Sequence, residues 1–277
     1  VTVAAKYYAG GPLPNADVAW RVTTTAGSFT PPNRRDFTFG TWVPWWEYEG
    51  RYERPDIASF AAQTDSAGRH VLRIDLDGGG RPLATNVRAE ASVQDVNRQT
   101  WTSAATLLVH PASVYVGLKT DRYFVDRGQP LPVDLVVADL DGKAVAGRPV
   151  EVRAERLDWK QQRSEWKEVV VERQDCPVTS SAGTSRCTFT TKEGGTYRVT
   201  ARVTDAEGRP NESEIRRWVS GGRVRPSETV AMQHLTLIPN KEQYRSGDVA
   251  EILVVPPFAP AGGLLTLRRS GLLRTER

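Results

Sequence analysis

The sequence is poor in the residues that most often carry chemistry. Its 277 residues include one methionine, two cysteines and three histidines. His70, His110 and His234 lie far apart in the chain, and neither a Gly-x-Ser-x-Gly elbow nor a His-Glu-x-x-His signature occurs. A nucleophilic triad or a zinc-protease helix is therefore not legible, and each histidine reads as a surface or turn residue. No run of about 18 apolar residues exists, which excludes a membrane-spanning helix. The longest mostly apolar stretch, from Val249 to Leu265, is broken by Glu251, Pro256, Pro257 and Pro260. A basic leader followed by apolar and then small residues is missing. The chain opens in what reads as mid-strand, so it is expected to be a piece of something longer. Gly78-Gly-Gly80 and Gly221-Gly222 neither follow a strand nor open a helix, and they read as loop glycines rather than a phosphate cradle.

Charge of one sign is also lacking. The 37 basic and 33 acidic residues leave a formal charge of +4, and the signs are interleaved. Around residue 160, for example, Arg156, Lys160 and Arg163 sit among Glu155, Asp158 and Glu165. A nucleic-acid binder clusters its basic residues on one face or arm, so no nucleic-acid partner is expected. The composition, 39% hydrophobic and 25% charged, is that of a globular chain long enough for two or three domains.

The two cysteines, Cys176 and Cys187, flank the turn-rich segment 177–186. The loop between them would bring two neighbouring strands side by side, a spacing that suits a disulfide and an oxidising compartment. The alternative is a pair of free thiols in a reducing one. With no histidine nearby they cannot complete a four-ligand zinc site. No cofactor is implied anywhere in the chain.

What is present is a repeat. Tyr197, Val199, Ala201 and Val203 alternate with polar residues and end on Asp205; Val87, Ala89, Ala91 and Val93 do the same and end on Asp95. A period of two is that of a half-buried strand. The offset between these copies is 110 (197 − 87). Earlier in the repeat, Gly10 aligns with Gly142, an offset of 132, and Ser66 with Ser181, an offset of 115. The first copy therefore carries about 22 extra residues (132 − 110), most of them between Thr30 and Pro55. The second copy has a front piece, Val114–Tyr123 then Val125–Gly128, that the first lacks and a third copy regains at Leu235–Lys241 and Tyr244–Gly247. Helix signals are thin, confined to residues 55–62 and 157–166, and the latter reads equally as a hairpin with a charged tip. The expected architecture is all-β: tandem antiparallel β-sandwiches of the fibronectin or immunoglobulin kind. The units are placed at 1–111 (first strand missing, Trp-rich insert at about 30–55), 112–222 and 223–277, the last one truncated.

Two local features need weighing. Asp139-Leu-Asp-Gly142 and Asp75-Leu-Asp-Gly78 lack the oxygen-ligand spacing of a calcium loop and read as type I′ hairpin turns. The insert contains Trp42, Trp45, Trp46 and Tyr48. Such rings could form a sugar platform or a partner hot spot, but packing on the sandwich or on a neighbouring domain needs no further function to justify it. These residues are candidates for packing or an interface.

The stretch Lys6-Tyr-Tyr-Ala-Gly-Gly-Pro-Leu-Pro-Asn-Ala-Asp-Val-Ala-Trp-Arg-Val22 resembles the hairpin of macroglobulin domains in bacterial α2-macroglobulins, and Phe37-Thr-Phe-Gly40 resembles the motif that follows it there. Tyr244–Phe258 with Gly263–Arg268 is similar to a later domain of the same family. The resemblance implies seven-stranded macroglobulin-like sandwiches in a periplasmic or cell-surface protein, with any membrane anchor outside these residues. It implies a non-enzymatic scaffold region of a broad-spectrum protease trap, whose partners are target proteases and neighbouring domains of the same chain. The Cys-x-Glu-Gln thioester motif of many members is not seen: Cys176 is followed by Pro-Val-Thr and Cys187 by Thr-Phe-Thr. The alternative reading is an adhesion or stalk array that binds a surface protein or glycan.

Overall fold

The computed structural model describes residues 1–44, 55–75, 82–162, 165–222, 235–257, 262–268 and 270–276. The fold is all-β: among the described residues 56% are in strands and none is in a helix. The first group of strands comprises β1 (Thr2–Ala4), β2 (Asp17–Ala26), β3 (Asp56–Gln63), β4 (Arg69–Val71), β5 (Thr85–Gln94) and β6 (Thr100–Val109). They form a four-stranded sheet in the order β3-β2-β5-β6, faced by the two-stranded β1-β4. Its core is the alternate set that the sequence pattern picked out: Val18, Trp20 and Val22 of β2 against Val87, Ala89, Ala91 and Val93 of β5, all buried.

The second group comprises β7 (Val114–Lys119), β8 (Phe124–Val125), β9 (Leu131–Asp139), β10 (Pro149–Gln162), β11 (Glu165–Thr179), β12 (Ser185–Phe189), β13 (Gly195–Thr204) and β14 (Pro210–Val219). A three-stranded sheet, β12-β9-β7, packs on a five-stranded one, β11-β10-β13-β14-β8. Between them Val133, Leu135 and Val137 meet Val150, Val152, Tyr197, Val199 and Ile215, with side chains essentially out of water. Each such side chain contributes on the order of 1.5–3 kcal/mol by burial, so the two-sheet arrangement follows from the alternation itself. The third group is β15 (Thr236–Pro239) with β16 (Ile252–Val255), and β17 (Leu265–Arg268) with β18 (Leu272–Glu276).

The repeat holds residue by residue in the ladders. Val18 pairs with Val93 as Val150 pairs with Val203, offsets of 132 (150 − 18) and 110 (203 − 93). Thr2 pairs with Val71 as Asp134 pairs with Arg186, the second offset being 115 (186 − 71). Leu237 pairs with Val254 as Leu118 pairs with Leu135. The hairpin turns share one construction. Asp65, Asp95, Asp139 and Asp205 each accept two backbone N–H bonds on Oδ1 from residues two and four positions on. The residue three positions on has positive φ, which suits the glycines Gly68, Gly142 and Gly208; Arg98 takes that place after Asp95.

Three expectations change in detail. The turn at Asp139–Lys143 is not type I′: only Gly142 has positive φ and its N–H bonds Asp139 O, which is a type I turn with a glycine bulge. Neither weak helix signal is a helix among the described residues: residues 56–63 are β3, and Pro149–Gln162 and Glu165–Thr179 pair as the antiparallel strands β10 and β11. Cys176 and Cys187 do form a disulfide, with Cα atoms 6.2 Å apart. Their strands are not side by side in one ladder: β11 and β12 are edge strands of opposite sheets, so the bond staples the two sheets along their β11–β12 edge.

Candidate functional site

Among the described residues, no cluster of catalytic groups forms around His70 or His110. His70 accepts a hydrogen bond from the Trp20 indole at Nδ1 (3.1 Å), and His110 Nδ1 lies 2.8 Å from the Tyr115 hydroxyl. Phe29 packs edge-on against His110, so this histidine joins an aromatic contact between the first and second groups of strands. His234 lies outside the described residues, as do Trp45, Trp46, Tyr48 and Leu76-Asp-Gly78.

The site with the most specific geometry is where the surplus segment of the first group lands. Residues 30–44 leave the end of β2 and cross the open side of the second sandwich as a strap. The first contact is at Pro32 and Arg34. Arg34 Nε donates to Gly142 O (2.9 Å), and Gly142 approaches so closely that an added Cβ would lie 1.9 Å from Pro32 O. Phe37 and Phe39 then cover Gly117 of β7, where a Cβ would meet the Phe39 ring at 2.6 Å. Lys119 pairs with Asp36 (3.2 Å) beside the Phe37 ring.

The strap bonds to both sheets. Thr38 and Leu118 exchange N–H···O bonds of 2.7 and 2.9 Å, which adds an antiparallel step to the β7 edge. Two residues on, Glu214 N–H donates to Gly40 O (3.0 Å) and Trp42 N–H to Glu214 O (2.8 Å), a parallel step on β14. Ser213 ties these together. Its hydroxyl accepts from Gly40 N–H (2.8 Å) and donates to Val116 O (2.6 Å), so one buried side chain links the strap, β14 and β7. Asn211, two residues earlier, links β14 and β7 to the segment before β5: its Oδ1 accepts from Val116 N–H (2.9 Å) while its amide donates to Pro82 O (3.2 Å). These inward-facing polar residues of β14 are satisfied by main chain from two other segments, as buried polar groups require.

At the strap's end Trp42 meets a junction with the third group. Its ring lies 5.3 Å from Tyr123 and 6.1 Å from Trp218. The Arg217 guanidinium, almost wholly buried, sits 5.0 Å from the Trp42 ring and 5.1 Å from the Tyr123 ring. Its Nε donates to Thr120 Oγ1 and Nη1 to Arg216 O. Burial pulls its pKa down to about 10, which leaves it a cation at neutral pH held by π-faces and neutral oxygens. From the third group, Ile238 is buried against Phe124 and Trp218, with Leu253 and Val255 packed alongside. Tyr123 N–H donates to Asn240 O (2.9 Å), Tyr123 Oη to Glu242 (3.3 Å), and Arg122 pairs with Glu251. Burial, then the Glu242 carboxylate, raises the Tyr123 phenol.

The entry to β7 is also tied down, at the base of the second group. Asp205 takes Ser113 N–H (2.9 Å) and the Arg209 guanidinium (2.8 Å) on Oδ2, besides the two turn amides on Oδ1. Burial alone would raise its pKa; the Ser113 bond, the Arg209 contacts and the Glu207 amide outweigh that and hold the carboxyl well below the usual range. Of the residues singled out from sequence, the structure places Trp42 in the junction and the two cysteines in the staple. Sequence reading did not single out Ser213, Asn211, Arg217 or Tyr123 as functional. The one available signal was the polar character of alternate positions in β14, on the face where β5 and β13 present apolar residues.

No family model matches the chain. A curated α2-macroglobulin homologue from Nostoc sp. is 23% identical over 284 residues, covering 94% of this chain and 14% of its own length. The native conformation of Escherichia coli α2-macroglobulin superposes with a TM-score of 0.53 at 18% identity, over 99% of this chain and 18% of that one. The trypsin-activated form of the E. coli protein gives 0.53 at 18% identity, over 98% and 19%. The resemblance read from the hairpin motifs thus runs along nearly the whole chain, and these solved structures share its fold. The chain spans less than a fifth of the length of these proteins.

Proposed function

We propose that this chain is a non-catalytic scaffold region of a bacterial α2-macroglobulin-like protease trap, built from three macroglobulin-like units at 1–111, 112–222 and 223–277. The observation that carries the reading is the strap: fifteen residues of the first unit (30–44) hydrogen-bond both sheets of the second and end in the contact with the third. Interfaces between domains of one chain allow relative motion unless they are large or specifically bonded. Main-chain steps on both sheet edges resist hinge motion there. A trap that collapses around an attacker needs such a frame to carry displacement between distant parts. The similarity along the chain to α2-macroglobulins, one of them solved as a trypsin-activated form, supports the same reading.

On this reading the partners are target proteases, engaged through the full-length protein, and neighbouring domains of the same polypeptide. The compartment is the periplasm or cell surface, where a disulfide such as Cys176–Cys187 persists. The test uses the full-length protein treated with a broad-specificity protease. Compaction on a native gel, with large substrates protected and small ones still cleaved, is expected. Degradation without protection would remove the trap reading.

A further inference from the structure

Two successive residues of β14 hold the ring of one residue from the first group. Side chains alternate along a strand, so Arg217, paired with the core residue Tyr197, faces into the second sandwich and Trp218 faces out of it. Trp42 reaches both. Its ring lies 5.0 Å from the Arg217 guanidinium and 6.1 Å from the Trp218 ring. It packs on the core of the second group and on the Phe124–Trp218–Ile238 cluster alike. A residue of the first group is therefore part of the seat of the third.

The third group takes hold of the same stack from the other side. Tyr123 covers Arg217 at 5.1 Å and lies 5.3 Å from Trp42. Its main-chain N–H donates to Asn240 O (2.9 Å) and its hydroxyl to Glu242 (3.3 Å). Arg217 thus lies between one ring that arrives with the strap and another that is bonded to the third group. Only 3% of Arg217 is exposed, and among the described residues no carboxylate reaches it; its hydrogen bonds go to Thr120 Oγ1 and Arg216 O. The fold does not demand a cation at this place. The counterpart in the first group, 110 positions earlier (217 − 107), is Leu107.

A guanidinium taken out of water is costly unless something replaces its hydration. Here two π-faces do so. With one ring withdrawn, Arg217 has lost that face and regained water on one side only. For this cation the half-open arrangement is disfavoured against both the closed one and the fully rehydrated one. We infer that the Trp42–Arg217–Tyr123 stack couples the two interfaces of the second group, so that seating of the strap and docking of the third group are one event. Loosening either then loosens the other, and by the same factor. The inference rests on the contacts of this junction and not on the trap reading. Failure of the native-gel test would leave it standing.

The test is native-state amide exchange on the full chain, read at two positions. Tyr123 N–H reports the bond to Asn240 O, and the N–H of residue 42 the bond to Glu214 O. Trp42→Ala removes a ring from the strap and touches neither bond; exchange at Tyr123 is expected to rise roughly tenfold or more. Ile238→Ala thins the seat of the third group, and exchange at residue 42 should rise by a like factor. Core amides of β9, the reference for global unfolding, should stay within about twofold of the parent. In an Arg217→Met background, which keeps the bulk and removes the charge, both responses should shrink to about threefold or less. Unchanged Tyr123 exchange in Trp42→Ala would overturn the inference. So would a rise shared equally by the β9 amides, which would make Trp42 an ordinary core residue. Responses undiminished by Arg217→Met would assign the coupling to ring packing alone and overturn the role of the cation. If Arg217→Met does not fold, Arg217→Leu, the residue type at the equivalent place, carries the same prediction, and the two single variants decide the coupling without it.

Discussion

Ser213→Ala is the sharpest perturbation of the strap. It removes one oxygen and leaves two main-chain groups behind: the Gly40 N–H from the strap and the Val116 C=O from β7. A buried polar group stripped of its partner costs about 1–3 kcal/mol. Gly40 is half-buried and can take a water, which puts it near the low end; Val116 is fully buried, which puts its carbonyl higher. The expected loss is about 2–3 kcal/mol from the unfolding transition of the second group. The repeat supplies an internal control. Ser103 is the counterpart of Ser213, 110 positions earlier (213 − 103), and it is exposed. Ser103→Ala should cost no more than about 0.5 kcal/mol. Denaturant unfolding followed by tryptophan fluorescence reads both variants, with amide exchange at Gly40 to show whether the strap has lifted. If Ser213→Ala matched the parent, or if the two variants cost the same, the strap would not contribute to the stability of the second sandwich.

Further predictions concern the same contacts. Cys187→Ser should lower the stability of the second group by about 2–3 kcal/mol, the loop-closure value for an 11-residue separation, and leave the first nearly unchanged; equal calorimetric melting of both forms under oxidising conditions would contradict it. Gly142→Ala and Gly208→Ala carry the same left-handed backbone cost of about 1–2 kcal/mol, but only the former drives a Cβ into Pro32. Gly142→Ala should therefore be at least about 2 kcal/mol worse, or release the strap, as read from Arg34 and Phe37 exchange. The Asp205 carboxyl is depressed in the folded state, so its contribution is present above the unfolded value near 3.8 and is lost as pH falls further below it. Stability against pH should fall more steeply below about pH 4 in the parent than in Asp205→Asn, which starts lower at neutral pH; parallel profiles would contradict this.

Much of this architecture was legible because a period of two and a domain-length repeat are properties of single strands. The buried faces of β5 and β13 follow from alternation, and the ladder registers reproduce the sequence offsets at Val18, Val150, Thr2 and Asp134. The 22-residue surplus was visible as a surplus, but its landing place was not. Nothing local in Pro31–Phe39 says that Gly142 and Gly117 will leave room for it. Residues 56–63 looked weakly helical because Ala58, Ala61 and Ala62 blur the alternation; their pairing with β2 is decided by the partner strand. Ser213 and Arg217 were hidden for a related reason. An inward serine or arginine is tolerable only if another segment supplies its oxygen or π-face, and that segment is distant in sequence: Gly40 and Trp42. The disulfide was legible as a pair, while its placement across two sheets depends on which sheet each edge strand joins.

On the proposed reading the strap makes the first and second groups one mechanical body. Native-state amide exchange at Thr38, Trp42, Leu118 and Glu214, the four donors of the strap's main-chain steps, tests it most directly. All four are expected to exchange only with the global opening of the second sandwich, as slowly as core amides of β9. Exchange of Thr38 and Trp42 orders of magnitude faster than that of β9 would mean that the strap lifts freely, and that the frame is hinged where it is described as fixed.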